Sequence, residues 1–141
     1  MNEFTRTRIQ AEDGSVDWEE VDHTALLAQG PLAVLSLRSE AEQATWMLLT
    51  QHIDDGEAAS LSLAKHHHMT FVSDDKLAIN AALAHGVPSA SCLDLLRTWQ
   101  ALSPEHALKI PQVLRRIATL ARFTPSNSHP HLAWWRDHFA P

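Results

Sequence analysis

Residues 56–76, GEAASLSLAKHHHMTFVSDDK, bring together three kinds of side chain that do chemistry: Glu57, the run His66–His68, and the pair Asp74–Asp75. Three readings compete for them. The acids can cap and charge helix starts, since carboxylates there accept from open N–H groups and favour the positive end of the dipole. The histidines can hold zinc. The carboxylates can also converge on Mg²⁺ or Mn²⁺, which take oxygen ligands and keep several waters. Zinc is the weakest of these: a structural site needs four ligands, and three consecutive histidines diverge on a helix end or alternate along a strand. No HExxH and no Cys–His spacing accompanies them, and imidazoles suit a helix C-terminus.

Placement decides between the other two. The stretch 69–73, MTFVS, is β-branched and aromatic, and reads as a buried strand. Asp74 and Asp75 follow it directly. In an open parallel sheet, ligands bind outside the carboxyl ends of the strands. Glu57 opens the helix before that strand, which runs back against it, so its head reaches the same edge. Asp54 can cap that helix.

The elements around the stretch follow from periodicity and stop signals. Asp17–Gly30 reads as a helix, with acids in its first turn and Gly30–Pro31 ending it. The apolar run 32–37, LAVLSL, has strand length. Ser39 and Glu42 form a capping box for a helix through Ile53. Glu57–His66 is helical, with Ala58, Leu61 and Ala64 on one stripe. Asp75 opens another helix, which Gly86 ends. Val87–Ser91 is extended, and Ser91 caps CLDLLRTWQAL. Alternation of strands and helices over about 70 residues predicts α/β, a parallel sheet covered by helices. Two more helices follow, started by Ser103–Pro104 and separated or kinked at Pro111. Trp134–Trp135 in the tail reads as an apolar patch docking on the domain rather than a base-stacking pair. There is no internal repeat and no linker.

Composition narrows the function further. The chain has 141 residues, 45% of them hydrophobic, enough for one domain with a core. Its single cysteine, Cys92, excludes an internal disulfide and fits a reducing compartment; we read it as a small buried apolar residue. No apolar run has the length of a membrane span, and Glu3, Arg6 and Arg8 stand where a signal peptide would be apolar, so a cytoplasmic protein with no membrane contact is expected. A net charge of −6 argues against broad adhesion to nucleic acid. Lys109, Arg115, Arg116 and Arg122 gather late in the chain, where a solvated helix face competes with an RNA contact. No Gly-x-Ser-x-Gly elbow and no Gly-rich phosphate loop is present.

Residues 30–102 resemble the PIN-domain family, the nuclease fold that includes toxin ribonucleases of toxin–antitoxin pairs. The likeness is carried by Gly56-Glu57-Ala58, Phe71-Val72-Ser73-Asp74-Asp75, Ala81-Ala82 and Gly86-Val87. It is specific as a combination and weak in each piece. It implies a three-layer α/β domain over residues 1–102, with 103–141 a helical C-terminal extension packed on it. It implies hydrolysis of RNA phosphodiesters with Mg²⁺ or Mn²⁺, Glu57 and Asp75 as catalytic acids, and Glu3, Glu57, Asp74 and Asp75 as metal ligands. RNA, an antitoxin protein and a second copy of the chain are the partners it suggests. The family's first strand and its metal-binding Asp have no counterpart, so the domain is expected to be incomplete at its N-terminus. The rival expectation is a non-catalytic nucleic-acid-binding or regulatory protein that keeps the fold.

Overall fold

A computed structural model describes residues 6–10, 13, 15–20, 24–28, 30 and 32–139. In chain order their elements are β1 (Arg6–Gln10), β2 (Val16–Glu20), α1 (Thr24–Ala28), α2 (Glu40–Leu49), α3 (Asp55–His66), β3 (Phe71–Val72), α4 (Lys76–Ala84), β4 (Ser89–Ala90), α5 (Cys92–Leu102), α6 (Pro104–Leu120) and α7 (Leu132–Asp137). The chain is therefore mixed α/β. No helix among the described residues is long and apolar enough to cross a membrane. Two compact units divide it: residues 34–97, and residues 1–33 together with 98–141.

The 34–97 unit is built on small residues. Its core holds Leu49, Ile53, Ala58, Leu61, Ala64, Phe71, Ala78, Ala82 and Val87. The alanines on α3 and α4 leave little side chain between the helices and their neighbours, so the leucines and Phe71 fill the remaining space. α2 starts on a capping box: Ser39 Oγ accepts from the Glu42 N–H, and the Glu42 carboxylate accepts from the Ser39 N–H. α3 is capped by Asp54, whose Oδ1 accepts from the Gly56 N–H at 2.8 Å. β3 and β4 pair in parallel, Phe71 opposite Ser89 and Val72 opposite Ala90. Phe71 is buried and Val72 is exposed. Ser91 caps α5, its Oγ accepting from the Asp94 N–H at 3.1 Å.

Two helices of this unit end alike. At the end of α4, Gly86 (φ 67) lets the Val87 N–H reach the Ala82 carbonyl. At the end of α3, His68 (φ 55) lets the Met69 N–H reach the Ala64 carbonyl. Both are Schellman turns, which need a left-handed residue and are usually built on glycine.

In the other unit, β1 and β2 form an antiparallel pair that sets Arg6 opposite Glu20 and Arg8 opposite Trp18. α6 packs beside β1. Ile110, Leu114 and Trp135 are buried. Trp135 meets Phe123 edge-on and stacks on Phe139, while Trp134 Nε1 donates to Gln100 Oε1 at 2.9 Å. The tail thus docks through its tryptophans.

Three expectations about elements are corrected. The helix expected over Asp17–Gly30 is a strand in its first part, because the backbone of Val16–Glu20 finds an antiparallel partner in β1. The helical part among the described residues is Thr24–Ala28. Residues 32–37 form no strand: they pair with no described strand, and Val34 is 76% exposed. Pro111 does not divide the C-terminal helices, since α6 runs through it from Pro104 to Leu120. A proline there removes one intrahelical bond, and burial of Ile110 and Leu114 on either side of it holds the helix together.

Candidate functional site: the acidic edge of the parallel strand pair

Glu57 lies in the first turn of α3 and is half-buried. Its Oε1 accepts from Ser73 Oγ at 2.8 Å. The same hydroxyl accepts from the Asp75 N–H at 3.0 Å. One serine, at the first position after β3, therefore ties the acid at the head of α3 to the backbone that carries Asp75. The expected meeting of α3's head with the carboxyl end of the strand is found, and Ser73 is the residue that makes it.

Asp75 is the N-cap of α4: its Oδ1 accepts from the N–H groups of Leu77 at 2.7 Å and Ala78 at 3.0 Å. Asp74 reaches the next helix, its Oδ1 accepting from the Cys92 N–H at 3.0 Å. Both are exposed. Capping and ligation are thus not alternatives for these acids. Glu57 and Asp75 each spend one oxygen on the protein, and the second makes no hydrogen bond among the described residues, whereas Asp74 accepts from the Cys92 N–H and also meets the Cys92 thiol. Glu3 lies outside the described residues.

In kind, these donors suit Mg²⁺ or Mn²⁺: they are hard carboxylate oxygens at a solvent-facing strand end. In number, they fall short of a closed cage. Among the described residues no group of three or more His, Cys, Asp and Glu side chains is arranged to hold a metal ion. Mg²⁺ commonly takes one or two carboxylates and completes its shell with water.

Cys92 corrects an expectation. It is exposed, not a buried apolar residue. Partial desolvation, followed by the hydrogen bond and charge of Asp74, pushes its thiol up to about 11, so it is a poor nucleophile at neutral pH.

The histidines serve the far end of α3. His66 Nε2 lies 2.9 Å from Thr45 Oγ1, and His67 Nε2 lies 3.0 Å from Glu42 Oε1. Glu42 is 6% exposed and also accepts from the N–H groups of Arg38 at 2.6 Å and Ser39 at 3.0 Å. Those two backbone donors, then His67, outweigh desolvation and hold its carboxyl down to about 2. Its backbone carbonyl accepts from the buried Ser62 hydroxyl at 2.7 Å. The sequence showed the capping box but not this tie between α2 and α3. A serine at the centre of α3's apolar stripe was the one available signal. For Ser73, the signal was a hydroxyl two residues before a helix cap.

Compared with protein-family models, curated proteins and solved structures, the chain matches none.

Proposed function

We propose that the chain carries a PIN-like α/β domain of the three-layer kind, and that it hydrolyses RNA phosphodiesters slowly, with Mg²⁺ or Mn²⁺, at the edge formed by Glu57, Ser73, Asp74 and Asp75. The observation that carries this reading is the Ser73 hydroxyl, hydrogen-bonded to both Glu57 and the Asp75 amide. It supports a site because it orients an acid from one helix toward the strand end that bears the other acids. Glu57 and Asp75 would hold the ion, with Asp74 beside them. A bound divalent cation supplies an activated water and stabilises charge on the phosphate. Ser73 holds Glu57, the cap of α4 holds Asp75, and the Cys92 N–H holds Asp74. The small number of ligands argues for weak binding and low turnover.

A second reading has its own observation: Asp75 caps α4 and Asp74 accepts from the first N–H of α5, which would keep both in place in a non-catalytic binding or regulatory protein. Cleavage of single-stranded RNA with and without Mn²⁺ separates the two. Slow, Mn²⁺-dependent cleavage lost in Asp75→Asn and Glu57→Gln supports the ribonuclease. No metal-dependent cleavage on varied RNAs by folded protein favours the binding protein.

A further inference from the structure

The charges of the chain are not evenly spread. Residues 98–141 hold five of the 11 Lys and Arg but only two of the 17 Asp and Glu. Four of those cations, Lys109, Arg115, Arg116 and Arg122, belong to α6 or its end, and all four are exposed. None forms an ion pair or a side-chain hydrogen bond among the described residues. Lys109 and Arg116 are seven residues apart, so they share one row of the helix, about 10 Å apart along its axis. Arg115 lies on a neighbouring row, and Arg122 follows the last turn at a left-handed position (φ 53) where the chain leaves the helix. Glu105 is the one acid on α6.

Such an elongated cationic track suits an extended polyanion better than a compact one. Beside it, Ile9 of β1 with Arg116, Thr119 and Leu120 of α6 lines a cavity of about 350 Å³. That volume is at the small end for ligand pockets. With Ile9 and Leu120 aliphatic, Thr119 polar and Arg116 cationic among its lining, the cavity suits an aromatic base next to a bound phosphate. The net charge of −6 does not cancel this local field, because charges more than about 10 Å away are largely screened at 0.1 M salt.

We propose that α6 is a binding track for single-stranded RNA, with phosphates on Lys109, Arg115, Arg116 and Arg122 and a base in the cavity at Arg116. The choice of RNA over DNA rests on the hydrolysis proposed above. The track itself does not, since it lies on residues 109–122 and needs no metal.

The test is binding of a fluorescent 15-nucleotide single-stranded RNA in EDTA, from 50 to 200 mM salt. Neutralising four phosphates on a single strand gives a slope of log K against log salt near −3, or about 50-fold weaker binding across that range. Arg115→Gln/Arg116→Gln should halve the slope, leaving roughly 7-fold. Arg38→Gln/Lys65→Gln, with the same change in net charge in the 34–97 unit, should leave it unchanged. Circular dichroism checks that both variants fold, and Arg115→Gln alone serves as a milder probe of the same helix, expected to reduce the slope by about a quarter. A wild-type slope near zero, or equal losses in both double variants, overturns the track. Tighter binding to DNA of the same sequence, or to vesicles of anionic lipid, overturns the choice of RNA. Binding in EDTA without any cleavage in Mn²⁺ upholds the track while removing the hydrolysis.

Discussion

The acids at the two ends of α3 live in opposite circumstances. At its C-terminal end, Glu42 is buried, and both its carboxylate oxygens accept hydrogen bonds. At its N-terminal end, Glu57 has one oxygen on Ser73, and its exposed neighbour Asp75 has one oxygen on the cap of α4, while Asp74, also exposed, accepts from the first N–H of α5. The first arrangement uses a charge to build a fold, because every donor around it would be left without a partner if it were removed. The second holds charges in place and keeps an oxygen of Glu57 and of Asp75 for something else. The number of oxygens already used, rather than the residue type, distinguishes a structural acid from a candidate ligand.

The comparison can be broken first at Glu42. Glu42→Ala leaves the Arg38 and Ser39 amides and His67 without an acceptor, and should cause the largest fall in melting temperature of any change discussed here. The effect has a pH signature. With its carboxyl held below the ordinary 4.5, at about 2, Glu42 stabilises the fold in full above that ordinary value. Its contribution is lost as the pH falls from there toward about 2. Thermal melts of the wild type should therefore drop through that window, and those of Glu42→Gln should drop less. Equal slopes would mean that Glu42 is not the group responsible.

Asp75 sharpens the contrast, because its two roles respond to different substitutions. Asp75→Ala removes the cap of α4 and should cost about 1 kcal/mol in a denaturant melt. Asn caps as well as Asp, so Asp75→Asn should cost at most a few tenths of a kcal/mol. A large loss with Asn would show that the charge itself is structural, as it is at Glu42, and would erase the distinction.

The smallest effect is expected at the helix ends. Gly86 and His68 occupy the same left-handed position in two Schellman turns. Only glycine reaches that region without steric cost. His68→Gly should raise stability by roughly 0.5 to 1 kcal/mol. A fall instead would mean that the His68 side chain, the third of the histidine run, makes a contribution outweighing its backbone strain.

Local signals were well legible in the sequence. Ser39, Asp54, Asp75, Ser91 and Ser103 all cap the helices that their types and spacing predicted, and Gly86 ends α4. Such signals are read from neighbours three or four residues away. What failed depended on distant partners. Asp17–Glu20 looked helical from its acids and belongs to a strand, Val16–Glu20, because Arg6–Gln10 pairs with it. Residues 32–37 looked like a strand and find no described partner. At the acidic edge the sequence placed Glu57 and Asp75 at one strand end, but it did not name Ser73 as the link, since a hydrogen bond across 16 residues leaves no periodic trace.

The most direct measurement of the central claim is Mn²⁺ titration followed by paramagnetic broadening of backbone amide signals. Amides of Glu57 and Ser73–Asp75 should broaden at the lowest Mn²⁺ concentrations, those of residues 38–42 should remain sharp, and Asp75→Asn should remove the effect while the rest of the spectrum is preserved. Early broadening around Glu42, or a pattern that Asp75→Asn leaves unchanged, would contradict the claim that the available acids are those at the end of β3.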